Sequence, residues 1–284
     1  MHGPARSARK PASARCARPA HIALFNQERI GDLGEAERHS LAARGELGIT
    51  VGPFNAKLRT ELHRVVELIG LLYAHHSRPA PEAYRDFDLT VDRPASLRRW
   101  IRPHAEFDGD GERPFTPLPL DTAFPLLEWG LNWRVATTAH QYLMLHAGVV
   151  ERNGVCVLMP ALPGSGKSTL STALMFSEWR LLSDEFGLLR TGSTEMIPFP
   201  RPIPLKNESI GIIGAFSSDA VMGPVFPGTR KGDIAHCRPT RESVDRGASV
   251  APLTHIVFPL FRPGAPLTVH AFDKARAFMK VSAN

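Results

Sequence analysis

The chain has 284 residues, 43% of them hydrophobic, and a formal net charge of +6; this is a globular composition with room, at about 150 residues per domain, for two domains. Arg6, Arg9, Lys10, Arg15 and Arg18 stand in a tail without acids, so residues 1–20 carry +5 and the rest only +1; a basic tail on a neutral body argues against a nucleic-acid-binding face. No apolar run approaches the roughly 18 residues of a membrane span, there is no secretory signal pattern, and Cys16, Cys156 and Cys237 lack metal or redox spacing, which fits a reducing, cytoplasmic setting.

Residues 1–44 are polar, charged and aperiodic, and little fixed structure is expected before Gly45. "LGITVGPFNAKLR" reads as two short strands around Gly52-Pro53. Thr60 is placed to cap a helix running to Ala74, with Leu62, Val65, Val66, Ile69, Leu72 and Tyr73 on one face. His75 and His76, adjacent at its end, are read as surface residues. "YRDFDLTVDRP" alternates like a half-wet strand, "LRRWIRPHAEF" reads as another, and Asp108-Gly109-Asp110-Gly111 is a turn. Residues 45–116 therefore form a small α/β module.

A Pro-rich linker then opens the second unit, 117–284. Asp121 is placed to cap a long helix that carries Trp129 and Trp133 one turn apart, both expected to pack. Two β-rich runs follow, joined at Asn153-Gly154, the strongest short hairpin signal. The second run leads into "ALPGSGKSTL", from Ala161 to Leu170.

This stretch matches the end of a phosphate-binding P-loop (Walker A), with Ala161 where the first glycine usually stands. Pro163, Gly164, Ser165 and Gly166 form a loop whose amides can approach a phosphate. The helix starting at Lys167, Ser168 and Thr169 adds its positive end. Lys167 is the cation for the β- and γ-phosphates, and the Ser168 hydroxyl is a Mg²⁺ ligand. One short helix later, "EWRLLSDEF" ends an apolar strand in Asp184 and Glu185. Acids at a strand end beside a P-loop point to metal or base chemistry, although an exposed acidic strand end has the same sequence.

Together "LHAGVV…NG…LPGSGKST…WRLLSDE" resembles the catalytic domain of HPr kinase/phosphorylase, and most closely the branch called HPr kinase-related kinase A. That branch is similar also through "LPLDTAFPLLEWGLNW" and "PFPRPIPLKNESI". The resemblance covers roughly residues 47 to 259. It implies a P-loop kinase domain with the mixed sheet and helices shared with phosphoenolpyruvate carboxykinase. It also implies ATP and Mg²⁺ as cofactors and phosphoryl transfer to a hydroxyl, a serine of a protein partner. On that reading Asp184 is the base and a metal neighbour, Glu185 binds metal through water, and His146 hydrogen-bonds Asp184 and tunes it. Lys206 touches phosphate or substrate, and Arg201, with a helix N-terminus capped by Asn207, faces anions. Arg230 and Lys231 are weaker candidates. Two departures stand out: the family's "GLGII" stretch survives as "SIGIIG" at 209–214, and the chain stops at "FMKVSAN", where the family continues in a further helix that could bear on stability and homo-oligomer formation. A non-catalytic ATP-binding regulator and a small-molecule kinase remain open alternatives.

Overall fold

A computed structural model describes residues 28–94, 103–162, 164–229 and 231–283. The basic tail to residue 27, Pro163 and Arg230 lie outside the described residues.

The first half of the first sheet follows the expected elements closely, while its last strand, at 118–119, falls in the stretch read as a linker. Strands β1 (Leu47–Val51) and β2 (Phe54–Arg59) form an antiparallel hairpin with Val51 opposite Phe54. Helix α2 (His63–Leu72) carries the chain across to β3 (Phe87–Asp92), which runs parallel to β2. Its buried face is Val65, Val66, Leu68, Ile69 and Leu72, all but Leu68 belonging to the apolar stripe read from the spacing. Thr60 does not cap it fully; its hydroxyl accepts the Leu62 N–H at 3.1 Å, before the first helical residue. Strand β4 (His104–Gly109) and the short β5 (Leu118–Pro119) complete an order β1-β2-β3-β4-β5. The expected turn after β4 is closed by the Gly111 N–H on Asp108 Oδ1 at 2.8 Å.

Three expectations are corrected here. Residues 28–44 are ordered: a 3-10 turn (Ile30–Asp32) leads into helix α1 (Glu35–Arg44), which Gly45 ends in the left-handed conformation. Ile30, Leu33, Leu41 and Ala42 are buried. The segment has few apolar residues and no helical stripe, but its larger ones reach the core. His76 is also buried, and its Nε2 lies 2.8 Å from the Pro200 carbonyl, so it joins distant segments instead of facing water. Asp121 falls in a 3-10 turn (Leu120–Thr122) and makes no cap bond to α3 (Ala123–Thr138), whose N-cap is Thr122.

Helix α3 packs across β3 and β4 although it follows the Pro-rich linker. Phe124, Leu126, Leu127, Leu131 and Val135 share one core with the first sheet and with Leu188, Ile197, Phe199 and Phe226 from later in the chain. Trp129 and Trp133 are half-buried; Trp133 meets Phe115 edge-on, and Lys231 Nζ stands 5.8 Å over Trp129.

The second sheet is organised by the long strand β6 (Tyr142–Arg152). Its first half pairs with β9 (Phe186–Arg190), and its second half pairs with β7 (Val155–Pro160) on one edge and β8 (Arg180–Ser183) on the other. Strands β10 (Glu195–Ile197) and β14 (Ala251–Ile256) join β9 back to β7, so β6, β7, β14, β10 and β9 close a ring of neighbours with β8 as a branch. The β7–β14 pairing is parallel and the others antiparallel. Asn153 and Gly154 both take positive φ (51° and 81°), as the hairpin signal requires. A third, antiparallel sheet has the order β11-β13-β12, from β11 (Ile203–Lys206), β12 (Phe226–Thr229) and β13 (Gly232–Cys237). Helix α4 (Lys167–Met175) connects β7 to β8 and packs on β6, β8, β11 and α5 (Glu208–Phe216). Helices α6 (Arg241–Asp245) and α7 (Lys274–Ser282) follow β13 and β14 respectively. The protein is thus mixed α/β. Among the described residues no helix is long and apolar enough to cross a membrane.

Candidate functional site

The hairpin β6–β7 delivers the glycine loop to the start of α4. Gly164 and Gly166 both have φ of 85°, a conformation that glycine takes without the strain a Cβ brings. Ser165 tightens the loop: its N–H and its hydroxyl both donate to the Leu162 carbonyl, at 3.2 and 2.6 Å. Gly166 is the residue before α4, so the unpaired N–H groups of the first helical turn open at the loop. Ala161 is buried at the end of β7 and leaves the glycine conformations intact.

Four side chains meet there, two from the first turn of α4, one from β6 and one from just beyond β8. Lys167 is buried, and its Nζ lies 3.2 Å from Nε2 of His146 on β6. The Ser168 hydroxyl donates to Asp184 Oδ2 at 2.8 Å. Asp184 follows β8 directly and is 6% exposed; its other oxygen, Oδ1, is buried without a hydrogen-bond partner. Burial raises the Asp184 carboxyl above its usual range, opposed by Lys167 and by the Ser168 hydroxyl, while neighbouring Glu185 adds to the rise. Thr169 is tied elsewhere, its hydroxyl donating to Ser209 on α5 at 2.8 Å.

His146 does not hydrogen-bond Asp184. It contacts Lys167 Nζ and the Glu185 main chain, and Asp184 acts on it through charge. Burial and Lys167 lower its pKa, so the ring is neutral at neutral pH and can accept from the ammonium.

Glu185 has φ of 75°, which turns its side chain away from the loop into a buried network. Its Oε2 accepts from Asn132 Nδ2 and lies 3.3 Å from Arg201 Nη2. Burial pushes this carboxyl up, but Arg201, Lys231, the Asn132 bond and Lys167 outweigh it and hold it below its usual range. Arg201 is 5% exposed and pairs Glu128 Oε2 at 2.6 Å; Tyr73 donates to Glu128 Oε1 at 2.6 Å. Arg201 is therefore internal, with its charge already matched, and does not face an external anion. Glu128, Asn132 and Tyr73 are the residues that sequence reasoning missed. The signal was present in "FPLLEWGLNW", where Glu128 is the sole charge in an apolar helical stretch.

Lys206, half-buried at the end of β11, lies in the field of the same groups. Burial, Lys231 and Lys167 lower its pKa, and Glu185 and Asp184 oppose them. Asn207 has φ of 50° and no cap bond to α5; its Oδ1 accepts the Asp233 N–H at 3.0 Å instead, tying β11 to β13. From the far end of the chain, Phe261 donates its main-chain N–H to the Ser165 carbonyl at 3.1 Å, so the segment after β14 lies against the loop. A cavity of about 1110 Å³ opens elsewhere, lined by Arg59, Arg64, Phe124 and Phe226 among others and by none of the loop residues.

The donor set at Ser168 and Asp184 is made of hard oxygens, one of them buried and unsatisfied. That fits a hard divalent cation such as Mg²⁺, which takes few protein ligands and keeps its other positions for water and phosphate. No protein-family model matches the chain, and a search among curated proteins finds no match.

Proposed function

We propose that this protein is a Mg²⁺-dependent kinase that transfers the γ-phosphoryl group of ATP to a hydroxyl, the acceptor being a serine of a protein partner. The observation that carries the reading is the meeting of Lys167, Ser168 and Asp184 at one helix start, with Asp184 Oδ1 buried and unpaired. The fold proposed with it is the P-loop kinase domain of the HPr kinase type, the fold implied by the sequence resemblance.

Each residue then has a task. The loop amides around Gly164 and Gly166 and the first turn of α4 take phosphate oxygens. Lys167 rests on a neutral imidazole, a partner that a phosphate readily displaces, and its ammonium is free to meet the β- and γ-phosphates. Ser168 and Asp184 are the residues that would hold Mg²⁺, which when bound neutralises charge on the phosphates. Glu185 adds negative charge nearby, fixed in place by Arg201 and Asn132. Lys206 supplies a further cation. Asp184 accepts the proton of the incoming hydroxyl. The hydroxyl oxygen forms a bond to the γ-phosphorus, the bond from phosphorus to the β–γ bridging oxygen breaks, and ADP leaves with that electron pair. A carboxyl raised above its usual range is a stronger base than an ordinary aspartate once ionised.

The proposal of a protein acceptor rests on the family resemblance. Two experiments test the reading. In calorimetry with Mg²⁺ present, Lys167→Ala is expected to weaken ATP binding at least about tenfold, or ~1.4 kcal/mol; unchanged affinity overturns nucleotide binding at this loop. Incubation of the protein with γ-labelled ATP and lysate of its source cell, followed by intact-protein and metabolite mass spectrometry, is expected to give phosphoserine on a protein. Label confined to a soluble metabolite assigns a small-molecule kinase, and no transfer at all assigns a regulatory ATP-binding module.

A further inference from the structure

Away from the phosphate loop, α1 and α2 bring two histidines and two glutamates together. Glu35 and His39 stand four residues apart on α1, and His63 and Glu67 four apart on α2, the spacing that places each pair on one helix face. One ligand atom each from Glu35, His39 and His63 lie within 4.8 Å of one another. His63 Nε2 is 3.3 Å from Glu35 Oε1, and its Nδ1 is 3.4 Å from Glu67 Oε1. The two imidazoles stack with centroids 4.1 Å apart. His39 Nε2 is buried and has no hydrogen-bond partner.

These contacts do not describe settled ion pairs. Both His63–carboxylate separations exceed the 2.7–3.2 Å or so of a good hydrogen bond. A face-to-face imidazole pair is unfavourable when both rings are charged, and a buried imidazole nitrogen without a partner has lost water for nothing. A metal ion satisfies the unpaired nitrogen and the carboxylate, and the rings leave their stacked arrangement as their in-plane nitrogens turn toward it. Ligands at about 2.0–2.1 Å from a tetrahedral zinc ion stand about 3.4 Å from each other, which is the Glu35–His63 separation already present.

We propose that Glu35, His39 and His63 form a zinc site that clasps α1 to α2. Glu35 gives one carboxylate oxygen, and each histidine gives one ring nitrogen; water completes the coordination. Glu67 accepts the Nδ1–H of His63, so that Nε2 faces the metal, the arrangement by which carboxylates commonly orient zinc-bound imidazoles. Imidazole with carboxylate selects zinc over Mg²⁺ or Ca²⁺, which prefer all-oxygen shells. His63 and Glu35 are exposed and can make the small side-chain shift that closes the site. The clasp has a structural use: α1 buries only Leu41 and Ala42 of its ten residues, and a metal link to α2 would hold its N-terminal half in place. No linear motif announces such a site, because its ligands come in pairs from helices separated by a hairpin.

The full-length protein, stripped with chelator and dialysed, is titrated with zinc alone by calorimetry, beside His63→Gln and the double variant His39→Ala/His63→Ala. The wild type should bind one zinc equivalent more than the double variant, and His63→Gln should weaken that equivalent at least about tenfold. Glu67→Gln should weaken it by about 10-fold, the lower end of the effect of losing an orienting carboxylate. Cobalt substitution should give visible tetrahedral absorption in the wild type and not in His63→Gln, a change at an exposed position that leaves the core untouched. Equal zinc stoichiometry and affinity in the wild type and His63→Gln overturn the proposal.

Discussion

The Asp184 carboxylate loses nearly all its solvent and, among the described residues, accepts one hydrogen bond, from Ser168. Two consequences follow for a residue proposed as a base. Asp184→Asn should abolish turnover while keeping ATP bound, because the amide preserves shape and the Ser168 bond but cannot take a proton. The same change should stabilise the nucleotide-free protein. With its folded-state pKa raised by burial, the native carboxyl holds its proton to higher pH than the unfolded one. Ionisation therefore costs stability, the cost being absent below the unfolded pKa and complete above the folded one. The gain from Asn should appear at neutral pH and vanish in acid, each kcal/mol raising Tm by roughly 2–4 °C; scanning calorimetry at two pH values reads it. Lys167, Ser168 and the glycines of the loop were legible as residues because loop chemistry is local. The tie of Thr169 to Ser209 was not, since its partner comes from another helix.

Among the elements, α3 and the segment after β10 are joined by charge in the core. Arg201 bridges Glu128 on α3 to Glu185 beyond β8, and Tyr73 at the end of α2 closes the far side. Removing one partner of such a buried set leaves the others unmatched in low dielectric. Arg201→Ala should therefore destabilise the protein by about 3–5 kcal/mol, read as a lower urea midpoint. It should also release Glu185 from its strained position, so that turnover falls further than ATP affinity does. A midpoint shift no larger than that of an exposed arginine, such as Arg113→Ala, would show that the network is not coupled to the fold. The stripe on α2 and the Asn153-Gly154 hairpin were plain in the sequence, because period and turn chemistry are set by neighbours a few residues apart. Helix α1 was not: it is mostly polar, and its two buried side chains make no repeating pattern.

At the scale of the whole molecule, the first sheet, α3 and parts of β9, β10 and β12 share one core, so the Pro-rich linker does not separate the packing of what lies on either side. Residues 28–44 are part of that body. Removing residues 1–44 should lower stability by several kcal/mol, since Ile30, Leu33 and Leu41 are all buried and each is worth about 1.5–3 kcal/mol; a thermal melt unchanged by the deletion would show that this segment does not pack. The sequence by itself determined the α/β class, strands β1 to β3 of the first sheet, the hairpin before the loop and the residues of the loop. All of these depend on local spacing, turn conformation or helix-end chemistry. Only the tertiary structure decided that Arg201 is internal, that Glu185 turns away from the loop, that His146 meets Lys167, and that two helices bring Glu35, His39 and His63 together. These depend on which distant segments share a buried space, where a charge must find its partner whatever its place in the chain.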